Sequence, residues 1–199
     1  MNRSQALQTV TLLIAAAVTT LATAPAAAKE PELLRLRANA VDLNNRVRTN
    51  TIDIVIERWS TAEETASLKA VLVEKGGEKL LSALQKVKPR CGYVRTSTSL
   101  GWDIYFAREV ELPGGGRKIS LGSDRPMSFW EASNSPRSRD YEFSLAEIHL
   151  GADGKGEGKA ITAAMVSFDK EKNTLEIENY QREPVRLSQV QVLTPKPQK

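Results

Sequence analysis

The chain has 199 residues, with 28 lysines and arginines against 24 aspartates and glutamates, one histidine and one cysteine. A net charge of +4 in a mixed pattern, with no cluster of basic residues, argues against a nucleic-acid-binding protein. One histidine and one thiol exclude a multi-histidine or cysteine zinc centre and any intrachain disulfide, so stability has to come from an apolar core.

The N-terminus carries Arg3, then the run TLLIAAAVTTLATA, then Pro25 and three alanines. One positive residue, an apolar stretch too short to span a bilayer and an Ala-x-Ala ending predict a secretory signal peptide over residues 1–28, cleaved after Ala28. The expected location is periplasmic or secreted, with no membrane span after cleavage. Cleavage leaves 27 basic and 24 acidic side chains, and about 171 residues suffice for one domain.

Residues 29–50 are charged with scattered leucines, which suit either a weak amphipathic helix or an extended leader. A single β-rich domain is expected over 51–193, followed by a frayed tail over 194–199 that contains Pro195 and Pro197. In TIDIVIERW, Ile52, Ile54 and Ile56 alternate with Asp53, Val55 and Glu57, the pattern of a half-buried antiparallel strand. The motif STAE then places Ser60 as a helix cap with Glu63 three residues on. Helical spacing runs to Gly76 and Gly77, and a second helix is predicted from about Glu78 to Val87, ended by Pro89.

From Arg90 onward the signals are strand and turn. GWDIYFAREVEL reads as one strand with Trp102, Ile104, Phe106, Val110 and Leu112 on one face, and PGGG turns it into a hairpin. In YEFSLAEIHL the apolar phase passes from Phe143 and Leu145 to Ile148 and Leu150, which predicts a β-bulge near Ala146 or Glu147. KAITAAMVSFD is apolar on both faces, as in a doubly covered strand, and TLEIENYQ and VRLSQVQVL complete the set. The fold class is therefore mainly β (α+β): an antiparallel meander of seven or eight strands forming a barrel or a sandwich, with a two-helix insertion after the first strand.

Residues 123–142, SDRPMSFWEASNSPRSRDYE, put three arginines, four acids and three aromatics where a hairpin needs ~2–5 residues. A loop of that length and content is read as a binding element or an ordered cover. Its candidate ligand-binding residues are Arg125, Phe129, Trp130 and Arg137, an aromatic face with guanidinium donors suited to an anionic or amphiphilic small molecule. The oligomeric state is left open.

Catalytic signals are thin. No GxSxG elbow or phosphate-binding glycine pattern occurs, His149 falls on an outward strand position with Glu147, and Cys91 is expected to be a buried apolar residue. No catalytic residue, cofactor or metal is expected. Carboxylates at Asp103, Glu109, Asp124, Glu131 and Asp140 keep a carboxylate-dependent hydrolase as one alternative, although neighbouring arginines suit them to ion pairs. The other alternative is a lipocalin-like barrel carrying an apolar ligand. The runs GYVRTSTSLGWDIYFARE, DRPMSFWEASNSPRSRDYEF and GKAITAAMVSFDKEKNTLEIENY resemble a group of uncharacterised secreted bacterial proteins of unknown function, a resemblance that implies no activity, cofactor or site.

Overall fold

A computed structural model describes residues 32–44, 47–127, 140–180 and 183–193. The signal-peptide reading, the tail over 194–199, and Phe129, Trp130, Glu131 and Arg137 lie outside the described residues.

The chain is mainly β. Its order is β1 (Leu34–Asp42), β2 (Arg48–Ile56), α1 (Ala62–Lys75), α2 (Gly77–Leu84), β3 (Gly92–Thr96), β4 (Trp102–Ile104) and β5 (Phe106–Leu112), then β6 (Gly116–Ser123), β7 (Phe143–Leu150), β8 (Lys155–Asp169), β9 (Thr174–Asn179) and β10 (Val185–Val192). All pairings are antiparallel, in the spatial order β4-β3-β2-β1-β10-β8-β7-β6-β5, with β9 added to β8.

This is one continuous, nearly closed barrel-like sheet, so the sandwich alternative falls away. Closure comes from β4 and β5 being consecutive. The Cys91 amide donates to the Ile104 carbonyl (2.7 Å) on one side of the junction, and the Tyr105 amide donates to the Gly122 carbonyl (3.0 Å) on the other. The expected single strand over 102–112 is therefore broken at Tyr105, where the chain leaves the edge of β3 and joins that of β6. The break reverses the faces: Ile104 and Ala107 are both buried in the barrel, while Phe106 turns outward to the helices.

That break, together with β1, brings the count to ten strands among the described residues. The described part of the 29–50 stretch is extended, not helical, and β1 lies between β2 and β10. Leu34, Leu36 and Ala38 point inward, while Arg35 and Arg37 stay on the outer face. The helix pair therefore follows the second strand, the one that holds Ile52, Ile54 and Ile56.

The capping box sits one residue later than expected, on Thr61 and Glu64. Ser60 is already committed to the sheet: its amide donates to the Ala107 carbonyl at 2.8 Å and its Oγ accepts from the Ala107 amide at 3.1 Å. The helices pack Leu72 and Leu84 on Phe143, Ala164 and Val166, outside the barrel. A Cβ on Gly77 would lie 2.2 Å from the Val166 carbonyl oxygen, so glycine is needed where α2 meets β8.

Strand β7 has no bulge at Ala146 or Glu147; its register with β6 runs unbroken from Arg117↔Leu150 to Ser123↔Ser144. Ser144, Ala146, Ile148 and Leu150 keep one inward phase, and Phe143 and Leu145 are apolar because the helices cover the outer face there. The register against β8 does shift, between Phe143 and Leu145.

Candidate functional site

The end of the barrel nearest residues 123–127 collects the unusual polar groups. Along β6, Ile119, Leu121 and Ser123 alternate inward, so Ser123 closes a column of apolar side chains with a hydroxyl. The chain beyond is stitched across the barrel end. Ser144 Oγ lies 2.8 Å from both the Arg125 and Thr162 carbonyl oxygens, and the Met127 amide donates to the Thr162 carbonyl at 2.9 Å.

Beneath Met127 is a cavity of about 40 Å³, walled chiefly by Ile52, Ile54, Val94, Ile104, Leu121 and Leu187. Ser123 and Thr162 also line it, and neither hydroxyl, though buried, has a hydrogen-bond partner among the described residues. A buried hydroxyl without a partner costs ~1–3 kcal/mol, so two of them facing one apolar space form a polar spot that a guest can satisfy. The space is large enough for one or two waters or a small apolar group.

Arg125 stands exposed at the rim, with Nη2 3.3 Å from the Gly101 carbonyl oxygen. Next to it, burial pushes the Asp124 carboxyl above the usual carboxylate range; Asp103 adds to the rise and Arg125 opposes it. Burial also raises the Tyr105 hydroxyl, helped by Asp124 and Asp103. The structure therefore places Arg125 at the mouth, and the other three candidates lie outside the described residues.

The expected carboxylates divide between two settings. Asp103 bonds Arg90 (2.6 Å), which also holds Glu57 (2.9 Å), and Glu109 bonds Arg117 (2.8 Å). Asp140 instead shares a hollow of about 400 Å³ with Glu78 and Glu142, beside Gly77, Met165 and Ser167. Burial, followed by repulsion from Glu78 and Asp140, pushes the Glu142 carboxyl up. No group of three or more histidines, cysteines or carboxylates among the described residues is placed to hold a metal ion.

His149 is exposed and shares a 2.8 Å hydrogen bond with Glu147, which lowers the Glu147 carboxyl. Cys91 is free and fully buried; its Sγ donates to the Tyr105 carbonyl (3.3 Å) and lies 3.5 Å from Ser60 Oγ. Burial raises its thiol pKa, which keeps it protonated and unsuited to nucleophilic attack.

No protein-family model, curated protein or solved structure matches the chain. The residues of the site have to carry the functional reading. Among the described residues, no helix is long and apolar enough to cross a membrane. Sequence reasoning missed Ser123 and Thr162. The signal for Ser123 was present in the alternation Ile119, Leu121, Ser123, which places a serine inward at the last position of a strand.

Proposed function

We propose that the chain is a non-catalytic binding module for an amphiphilic small molecule, taken up at the barrel end covered by residues 123–127. The observation that carries this reading is the apolar cavity in which the Ser123 and Thr162 hydroxyls have no partner among the described residues. The ligand's apolar part enters the barrel, a polar atom meets those hydroxyls, and an anionic end faces Arg125 at the rim, with Phe129, Trp130 and Arg137 further along the same loop.

A cavity of about 40 Å³ takes only a small group as it stands, so a longer ligand has to displace Met127. Methionine suits that role, being unbranched with three rotatable bonds, and here its backbone stays anchored to Thr162 while the side chain moves. The leader read at residues 1–28 supports a periplasmic or secreted site of action. The hydrolase reading has less support, because Asp103 and Glu109 are taken up in ion pairs.

The test is titration with the fluorescent probe N-phenyl-1-naphthylamine and, in competition, decanoate. Saturable binding is expected, weakened at least tenfold by Ala146→Leu, which fills the cavity, and tightened by Met127→Ala, which enlarges it. An absence of saturable binding, or equal affinity in all three proteins at matched thermal stability, overturns the proposal.

A further inference from the structure

The outer face of the barrel carries a second arrangement, which the sequence reading did not single out. Register puts Arg37 opposite Asp53 on β2, and Asp53 opposite Arg95 on β3, so arginine, aspartate and arginine form one row across three strands. The inward phase of Ile52 and Ile54 fixes that row on the outside.

The charges in the row do not balance. Asp53 receives Arg37 at 2.9 and 3.5 Å, while Arg35 binds both carboxylate oxygens of Glu32 at 2.7 and 2.9 Å and lies 3.8 Å from Asp53. Arg95 is left with a 3.7 Å approach to Asp53 and the face of Tyr93, 5.7 Å from its centroid; it makes no hydrogen bond among the described residues. A guanidinium held over an aromatic ring with its donors unspent is pre-oriented for a planar or tetrahedral oxyanion.

The row opens into a basin of about 320 Å³, bordered by Thr51, Thr96, Ser97 and Ser99. Ser99 Oγ accepts from the Thr96 amide at 2.9 Å, which leaves its own hydrogen for another acceptor.

We infer that this basin binds a small hydroxylated molecule bearing an oxyanion, a carboxylated or phosphorylated sugar, with the anion on Arg37 and Arg95 and the sugar hydroxyls on the serines and threonines. The basin shares no lining residue with the barrel cavity, and the inference does not rest on the binding proposed there. Asp53 is the internal competitor: it occupies Arg37 until an external anion displaces it, so affinity is restrained by the same residue that holds the arginines in place.

Calorimetric titration of the whole protein with glucuronate, glucose 6-phosphate, inorganic phosphate and glucose tests this. At least one acidic sugar is expected to bind saturably, and which one does so separates carboxylate from phosphate; glucose is not expected to bind. Arg95→Gln should weaken the interaction at least tenfold, raised salt should weaken it by screening, and Asp53→Asn should tighten it several-fold, provided the variants melt like the parent. No saturable heat with either acidic sugar, or unchanged affinity in Arg95→Gln, overturns the anion site. Equal affinity for inorganic phosphate and for both sugars overturns the role given to the hydroxyls. Should Asp53→Asn fail to fold, Arg95→Gln alone decides, since its half-buried side chain makes no hydrogen bond among the described residues whose loss would unfold the barrel.

Discussion

The chain buries apolar surface in two places, and the two are built differently. Inside the barrel, sixteen buried residues among the described ones, from β1 to β7, β10 and Cys91, interlock. Outside it, among the described residues, five buried residues join the helix pair to β7 and β8; of these the helices contribute Leu72 and Leu84, with Leu68, Leu80 and Leu81 partly buried beside them. The barrel core is made by period-2 alternation on strands hydrogen-bonded into one nearly closed sheet. The outer core rests on two short helices which, isolated, would not hold their shape in water. We therefore expect the barrel to set global stability and the helix pair to open independently of it.

Three substitutions break or sharpen that contrast. The largest effect is expected from Ile148→Ala, a fully buried position in the barrel: a loss of about 2–5 kcal/mol, with helix and strand signals lost together in one denaturant transition. Separate transitions for the two signals would show that the barrel does not govern the whole. Next comes Gly77→Ala. The new methyl would lie 2.2 Å from the Val166 carbonyl, so α2 has to lift from β8, at about 1–3 kcal/mol. Amide hydrogen exchange should speed up across α1 and α2 while β1 and β2 keep their protection; uniform acceleration would mean that the cover and the barrel are one cooperative unit.

The smallest effect concerns Glu142, at the edge of the outer core. Its carboxyl is raised in the folded protein, so the fold favours the neutral form, and the associated stability is fully present below the ordinary glutamate value of about 4.3 and lost as pH rises through the raised value. Glu142→Gln should accordingly melt higher than the parent at neutral pH, with the difference vanishing in acid. A variant equally stable at both pH values would show that Glu78 and Asp140 do not press on this group.

The parts of the fold legible in sequence were those where one local rule acts alone. Ile52, Ile54 and Ile56 announce β2, and the glycines at 114 and 115, both at positive φ, announce the hairpin between β5 and β6. Phase arguments failed where two environments share a strand. The apolar switch in β7 suggested a bulge, but it records helices covering one end of an unbroken strand. The same kind of switch in β10, from Val185 and Leu187 to Val190 and Val192, does mark a bulge: Gln189 sits at φ 52 and the register slips on both sides. Periodicity alone does not separate these cases, because burial on the outer face depends on elements distant in sequence.

The candidate sites follow the same division. The stretch 123–142 was conspicuous from its composition, and of its candidate residues Arg125 is the one that falls among the described residues, with Nη2 3.3 Å from the Gly101 carbonyl oxygen. The row Arg37, Asp53, Arg95 could not be read, since it exists only once three strands are in register. Ser60 was taken for a helix cap because STAE satisfies the local rule, while its actual partner, Ala107, lies on a strand 47 residues away.

The position of β10 shapes how the molecule comes into being. This last of the described strands is an interior stave, set between β1 and β8, with Val192 beside Leu36 and Arg186 beside Val41. Until residue 192 is present, β1 and β8 each show a bare backbone edge and the ring of hydrogen bonds stays open. The contacts that finish the barrel join residues as far apart in sequence as Leu36 and Val192, the arrangement of high contact order that makes folding slow. A chain without β10 exposes two strand edges that the folded barrel hides, and those edges are where a chaperone, or another unfinished copy, has backbone to pair with.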